Sequence, residues 1–401
     1  MTQNHFQQHH PYRSHRRHDH SSHQHFDHFE QIFFRGDDYF ASLLQDIANA
    51  ETSIDLETYI FALDDLGKKI IHALSEAAQR GVAVRVLVDG VGASQWGGDL
   101  VRLLEKAGGQ TRIFHPFPWS LWQWSRSFVH VPSILKVIYL LLKINSRNHR
   151  KVCVIDKRVA YIGGFNISNS HIKGKGRGDG WRDTGVRIED VNLSELILAF
   201  NAAWDNLAIH ERLRQIFRHI YTNPIFRLNY SWHRRRVLYK NLLQRISQSK
   251  ERVWITNAYF VPDNFLLKKL HDAALRDVDV RILLPRKSDV AFMPWTSQAF
   301  YERLLEAGVR IFEYLPTVLH AKTLILDNWM LIGSSNLNHR SLLHDLEVDV
   351  NIRLQSSKDE LERHFLGDLQ ESREVTLTTW QKPYLYQRLI GSVGLYLKYW
   401  I

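Results

Sequence analysis

The sequence predicts an α/β protein made of two pseudo-symmetric halves. Three observations carry this. Strand-like apolar runs alternate with amphipathic helical runs. The alternation occurs twice, with a period of about 170 to 200 residues, too long for a solenoid and suited to two related domains. One short polar motif stands in each copy at the entry of an apolar strand.

Globular sequence begins near Phe29, after a tail (1–28) that is poor in aliphatic residues and carries nine histidines. Such a tail is expected to be disordered and to gain positive charge in mild acid. It lacks spaced cysteine or carboxylate partners, so no metal is assigned to it. A helix is read over Gly36 to Ala50 and a strand over Ser53 to Phe61. A second amphipathic helix spans Leu66 to Arg80 and stops at Gly81. Val82 to Val88 is a buried strand, Leu100 to Ala107 a helix and Thr111 to Phe114 a strand.

The second copy follows the same order. Leu238 to Ser249 is a helix, Arg252 to Phe260 a strand and Phe265 to Arg276 a helix. Asp279 to Leu284 echoes Ala83 to Val88. Leu304 to Gly308, followed by Arg310 to Phe312, echoes Leu103 to Gly108, followed by Arg112 to Phe114. The break falls between Leu207 and Arg236, which gives halves of 29–215 and 216–401.

The first half alone carries an insertion, 115–148, with Trp119, Trp122 and Trp124 followed by the apolar run Ser133 to Ile144. That run is too short to span a bilayer. Its apolar residues with Lys136 and Lys143, and the Trp cluster just upstream, suit an element lying among lipid headgroups, and a core helix fits equally. The C-terminal stretch Tyr384 to Ile401 poses the same choice. No window of about 18 apolar residues and no apolar signal region occur, so neither a transmembrane helix nor a secretory leader is expected. The formal net charge of +10 points to an anionic partner. The single cysteine, Cys153, lies inside an apolar strand and reads as a packing residue.

The repeated motif is His149, Lys151 and Asp156 in the first half, and His320, Lys322 and Asp327 in the second. Each copy has a glycine-rich tail ending in Asn166 or Asn336. Two strands presenting His and Lys at one end can face each other across a pseudo-twofold axis. The resulting groups suit phosphoryl transfer on a phosphodiester. One neutral imidazole attacks phosphorus, and the other, protonated, releases the leaving alkoxide. Lys and Asn donate to the non-bridging oxygens. Two ammonium groups take the place of a metal clamp, so no cofactor is implied. A nucleophilic imidazole needs a carboxylate on its other nitrogen, and Asp183 and Glu347, each before a strand, are the candidates. Asp156 and Asp327 sit at the far ends of their strands and read as structural. The loop His171 to Gly180, with Lys173, Lys175 and Arg177, is either a mobile flap gripping anionic headgroups or a solvated loop. The basic run Trp232 to Arg236 is either a phosphate-binding surface or a solvated linker.

The paired motifs with their tails resemble those of the phospholipase D superfamily, from about Phe29 to the C-terminus. Asn148 to Ser168, Trp181 to Asp190 and Leu319 to Val348 are similar to bacterial cardiolipin synthases. They look most like the shorter type without an N-terminal transmembrane hairpin, cardiolipin synthase B. The resemblance implies two α-β-α sandwich halves sharing one active site. It implies transfer of a phosphatidyl group from phosphatidylglycerol to a second phospholipid headgroup, with release of glycerol, through a phosphohistidine. It groups His149, Lys151, Asp156, His320, Lys322 and Asp327 as the catalytic motif, with Asn166 and Asn336 on phosphate and Asp183 and Glu347 in support. His149 takes the nucleophile's role and His320 that of acid and base. Anionic phospholipids, phosphatidylglycerol and cardiolipin, are the implied partners. The implied location is peripheral, on the cytoplasmic face of a bacterial inner membrane. Gly164 departs from the superfamily's usual Ser and is expected to cost a hydroxyl contact. Competing readings are a hydrolytic phospholipase D, a nuclease and a catalytically silent lipid-binding scaffold. The Trp-rich apolar insertion fits a nucleic-acid groove poorly, and a scaffold has no need of two placed imidazoles.

Overall fold

The computed structural model describes residues 28–93, 96, 98–117, 119–124, 126–127, 146–174, 179–205 and 224–380. Nearly all of the tail, the run 133–144, Lys175, Arg177 and the stretch 384–401 lie outside the described residues.

The first half begins with β1 (Phe29–Phe33), α1 (Gly36–Ala48), β2 (Ser53–Ile60) and α2 (Asp65–Gln79). It continues with β3 (Ala83–Gly92), α3 (Asp99–Lys106), β4 (Gln110–Phe114) and the single turn α4 (Leu121–Trp124). After the first motif come β5 (Val152–Ile155), β6 (Val159–Gly163), β7 (Gly185–Glu189) and α5 (Ser194–Trp204). The second half runs β8 (Phe226–Leu228), α6 (Trp232–Gln248), β9 (Arg252–Thr256), α7 (Asn264–Ala274) and β10 (Asp279–Pro285). Two short helices follow, α8 (Met293–Gln298) and α9 (Tyr301–Glu306), then β11 (Arg310–Tyr314). The second motif leads into β12 (Thr323–Leu326), β13 (Trp329–Gly333), α10 (His339–Leu343), β14 (Val348–Ile352), α11 (Gln355–Gln370) and β15 (Ser372–Val375).

Each half builds one mixed sheet. The first has the order β1-β7-β6-β5-β2-β3-β4, and the second β15-β11-β10-β9-β12-β13-β14-β8. In both, three parallel strands (β2, β3, β4 and β9, β10, β11) are continued by the antiparallel motif strand and its hairpin partner. Helices α2 and α7 start alike, with Asp64 accepting from the Gly67 N–H and Asp263 from the Leu266 N–H.

The sheets pack face to face. Alternate residues of the motif strands turn to opposite sides, as the period of two requires. Val152, Val154, Ala160 and Ile162 meet Ile325, Met330, Ile332, Val348 and Val350 in a core shared by both halves. Cys153, Ile155 and Tyr161 face the outer helices of the first half. Val253, Ile255 and Leu331 face those of the second. Both faces of each sheet are therefore buried, which explains why the motif strands read as continuous apolar runs.

Several sequence-based boundaries move. The basic run Trp232 to Arg236 is no linker but the first turns of α6, capped by Ser231, with Arg234 buried and Arg235 donating to the Asn229 and Leu343 carbonyls. The strand read as Arg252 to Phe260 ends at Thr256, because the Asn257 side chain turns to accept the Leu337 N–H. Helix α11 and strand β15, at the end of the described chain, have no counterpart in the sequence reading.

Asp156 and Asp327 do not belong with the catalytic groups, and this corrects their grouping with the motif. Both adopt positive φ in the hairpin turns after β5 and β12. Asp156 accepts the Glu51, Thr52 and Ser53 N–H groups and the Thr52 hydroxyl. Asp327 accepts those of Lys250, Glu251 and Arg252. Each thus ties the motif hairpin to the start of the neighbouring parallel strand, at the end opposite His and Lys. Burial raises the Asp156 pKa, but these N–H groups outweigh it and hold the carboxyl below its ordinary range. The depressed folded value means the stabilisation is present above the unfolded carboxylate value and is lost as pH falls through the folded one. Asp156→Ala is expected to cost about 1–2 kcal/mol in urea unfolding at pH 7. The gap from wild type is expected to narrow in acid; a pH-independent gap would assign the loss to packing instead.

Candidate active site

The motif residues enter the site from irregular backbone just before β5 and β12. The chain is held there by bridges that cross between the halves. The His149 N–H donates to the Leu346 carbonyl at 2.9 Å, and the Leu346 N–H to the Arg147 carbonyl at 2.8 Å. On the other side the Arg182 N–H donates to the Val318 carbonyl at 2.9 Å, and the His320 N–H to the Arg182 carbonyl at 2.8 Å. Each histidine is therefore laid beside the strand of the opposite half that carries a carboxylate.

The pairing is crossed as a result. His149 Nδ1 lies 3.1 Å from the Glu347 carboxylate, and His320 Nδ1 lies 2.6 Å from Asp183 Oδ2. All four side chains are almost completely withdrawn from solvent. Lys151 Nζ donates to the His149 carbonyl at 2.6 Å, and Lys322 Nζ to the His320 carbonyl. Asn166 and Asn336 are buried nearby; Asn166 Oδ1 accepts the Ile60 N–H at 3.3 Å, and Asn336 Oδ1 has no partner among the described residues.

Burial drives the electrostatics. It pushes the His149 pKa well down, and the Lys151 and Lys322 charges add to the effect. It also lowers His320, with Lys322 acting the same way and Asp183 opposing. Burial raises Asp183, but Lys322 and His320 outweigh it and bring the carboxyl down to about 2. Glu347 goes the other way, pushed up to about 7 by burial against the pull of Lys151 and two serine hydroxyls. Lys151 is lowered to about 7, again by burial.

Around the imidazoles stand aromatic groups that the sequence reading did not single out. The Tyr59 ring meets the His149 ring at 4.8 Å and lies under Lys151 Nζ at 5.2 Å. Trp181, Tyr259 and His171 pack against His320 at 5.5, 5.9 and 6.1 Å. His171, at the start of the loop read as either a flap or a solvated loop, is fixed in the core, its Nε2 facing the Asn166 N–H at 3.3 Å. Lys173 is exposed on that loop and pairs with Asp179. A signal for the fixed position exists in the sequence: the residue five beyond the tail asparagine. In the second half that residue is Ser341, whose Oγ accepts the Asn336 N–H at 2.8 Å and donates to Glu347. Ser334 donates to the same carboxylate.

Gly164 matches Ser334 in the two tails, and its lack of a side chain is not a lost contact. A Cβ there would stand 2.0 Å from Asp183 Oδ1. The first half thus combines Gly164, His171 and the shorter Asp183, and the second combines Ser334, Ser341 and the longer Glu347.

Two α/β halves thus cross-pair two histidines with two carboxylates over two lysines in one shared site. The family model for the cardiolipin synthase, PLD-like domain matches residues 43–204 and 242–369, and the chain belongs to that family. A cardiolipin synthase of Clostridium perfringens is 33% identical over 375 residues, covering 90% of this chain and 75% of that protein. A cardiolipin synthase of Staphylococcus aureus is 31% identical over 368 residues, covering 89% and 70%. Among solved structures, phosphatidylserine synthase of Haemophilus influenzae shares the fold, with a TM-score of 0.67 at 12% identity over 92% of both chains. Polyphosphate kinase of Porphyromonas gingivalis superposes with a TM-score of 0.57 at 14% identity, over 93% of this chain and 53% of that one.

Gly164→Ala is expected to keep cooperative unfolding but to push Asp183 off His320, lowering phosphodiester turnover roughly 100-fold. Wild-type turnover in that variant would show that the Asp183 position is not critical.

Proposed function

We propose that the chain is a phosphatidyltransferase that makes cardiolipin. It moves a phosphatidyl group from phosphatidylglycerol to the headgroup hydroxyl of a second phospholipid and releases glycerol. The observation that carries this reading is the crossed pair of buried His–carboxylate contacts, in a chain belonging to the cardiolipin synthase family.

The geometry supports a two-step exchange. Neutral His149, its proton held on Nδ1 by Glu347, attacks phosphorus through Nε2 and forms a phosphoramidate bond. His320, protonated, gives its Nε2 proton to the departing glycerol oxygen as the P–O bond breaks. Asp183 stabilises that imidazolium. Lys151, Lys322 and the two asparagine amides hold the non-bridging oxygens. The incoming hydroxyl then loses its proton to His320 and attacks phosphorus, and the P–N bond breaks to free His149. Arrival of an anionic phosphate favours the charged forms of both lysines and of His320, against the burial that lowers them in the ligand-free site.

Asp156 and Asp327 take no part in these steps. We place the halves at 29–215 and 216–401 and the enzyme at a membrane surface, on the cytoplasmic face. No helix among the described residues is long and apolar enough to cross a bilayer.

The test is mass spectrometry of products from phosphatidylglycerol vesicles, with and without phosphatidylethanolamine, in chelator. Cardiolipin and glycerol from wild type, with neither from His149→Ala nor His320→Ala, is the expected outcome. Phosphatidic acid as sole product would make the protein a hydrolase, and DNA cleavage without lipid turnover a nuclease.

The roles of the two histidines separate with an activated diester whose leaving group needs no acid. In His320→Ala the covalent adduct is expected to accumulate on the His149 peptide; an adduct on His320 in His149→Ala would reverse the assignment. Asp183→Asn is expected to lower kcat roughly 10²–10⁴-fold with a physiological leaving group.

A pH profile follows from the same shifts. His149 is held below the ordinary histidine value of about 6.5, so its neutral, nucleophilic form persists as pH falls and the acid limb of kcat/KM lies below that value. His320, which must carry a proton, is also held below its ordinary value by burial, so its deprotonation sets the alkaline limb ahead of Lys151, brought down to about 7. Lys151→Arg, which keeps its charge, is expected to leave that limb in place; an upward move would assign it to Lys151.

A further inference from the structure

The site lies at the carboxyl ends of the parallel strands: Tyr59 ends the β2 run beside His149, and Tyr259 follows β9 beside His320. Helix α6 leads directly into the start of β9, so its own first turn lies at the site end; α7 starts there, just after β9. The two helices lie side by side and are joined by a hydrogen bond from the Tyr239 hydroxyl to Asp263. At this end each exposes an aromatic ring where a soluble surface calls for a polar residue. Trp232 is 63% exposed in the first turn of α6, and Phe265 is 70% exposed in the first turn of α7. The position matching Phe265 in the first half is Leu66, two residues after the capping Asp64, and it is buried. Trp119, 66% exposed, stands at the same end of the first half, stacked on Phe117, which in turn lies under the Arg147 guanidinium.

Charge on α6 is one-sided. Helix α6 carries Arg234, Arg235, Arg236, Lys240 and Arg245 and no acidic residue. Neither α6 nor α7 has an acidic residue in its first turn, whereas α1 has Asp37 and Asp38 there. Both N-termini are capped from within, α6 by the Ser231 hydroxyl and α7 by the half-buried Asp263 carboxylate, so the exposed charge at the mouth is that of the side chains. Arg236 sits over the Trp232 ring at 4.5 Å, and Lys268 is exposed one turn beyond Phe265. An indole or phenyl ring beside a cation is the pairing that suits the headgroup level of a bilayer. Apolar rings alone would fit a protein partner; rings flanked by the exposed Arg236, Lys240 and Lys268 favour a surface of negative charge.

We infer that the site-side ends of α6 and α7, together with Trp119, form the surface that docks on an anionic phospholipid bilayer and holds the active-site mouth against it. The inference rests on the lipid substrate proposed above and adds where the membrane sits. The helices then lie with their N-termini at the headgroups, and a phosphodiester reaches the buried histidines without leaving the interface.

Sedimentation of the full chain with phosphatidylglycerol–phosphatidylcholine vesicles tests it. Trp232→Ala with Phe265→Ala, and separately Arg236→Glu with Lys240→Glu, are each expected to lower partitioning roughly tenfold or more. Leu275→Ala with Leu377→Ala, exposed residues away from the mouth, is expected to bind as wild type. Thermal unfolding of every variant is expected to match wild type. Wild-type partitioning by both mouth variants would overturn the inference, as would an equal loss in the Leu275 and Leu377 variant. Vesicle binding is read without turnover, so failure of the docking surface is distinct from failure of the transferase reading. The latter appears as wild-type vesicle binding with no cardiolipin formed.

Discussion

The arrangement depends on two short β-bridges that cross from one half to the other. Leu346 and Arg147 to His149 share one, and Arg182 and Val318 to His320 share the second. Backbone hydrogen bonds fix position along a strand to within a residue, and the side-chain period of two fixes which way each residue points. Residue 347 is one step from a bridged position, and so is residue 183. The carboxylates therefore reach the histidines because the backbone register allows no other placement. The shared apolar core between the sheets holds the two halves in that register. Neither half can assemble a complete His–carboxylate pair alone.

Bringing two imidazoles, two ammonium groups and two carboxylates out of water is costly unless each charge finds a partner. The surrounding residues answer with a second layer of buried pairs. Arg150 meets Glu57 at 3.0 Å, Arg147 meets Asp89 at 3.7 Å and Arg340 meets Asp345 at 3.1 Å. Asn148 donates from its side chain to Glu57 and from its backbone to Asp89. The residues on either side of His149 are thus anchored in both directions, and the ring between them is held by Tyr59 and Glu347. Burial pushes Asp89 and Asp345 up to about 6 each, which marks how far the lattice has been drawn from solvent. A phosphate arriving in the inner site brings the negative charge that the lysines lack.

Much of this was legible in the sequence, and the exceptions have physical reasons. The duplicated His and Lys stand out because the chemistry tolerates no substitute and the strands after them are buried on both faces. The α/β alternation is legible for the same reason of burial. Asp183 and Glu347 could be named as partners, but the crossing of the pairs could not, since it comes from bridges of one residue that leave no periodic signature. The run Trp232 to Arg236 misled because five polar or aromatic residues carry no helical apolar stripe; Ser231 and the packing of Leu242 and Ile246 decide that helix. His171 was hidden by its glycine-rich surroundings, where composition suggests solvent and the ring is in fact wedged between Phe165 and Trp181.

A duplicated fold presents two equal histidines, yet the reaction needs one nucleophile and one acid. The difference lies in what holds the carboxylates. Asp183 is short and lies over Gly164; burial raises it, but Lys322 and His320 outweigh that and leave it ionised against His320. Glu347 is a carbon longer and is raised toward neutrality by burial, against the pull of Lys151 and of the Ser334 and Ser341 hydroxyls it accepts. An ionised partner strengthens the imidazolium that an acid requires. A carboxyl already sharing its lone pairs with two hydroxyls orients a ring while stabilising its charge less, which suits a nucleophile that must stay neutral. Glycine in one tail and serine in the other are thus two halves of one distinction, and they support His149 as the attacking ring and His320 as the proton carrier.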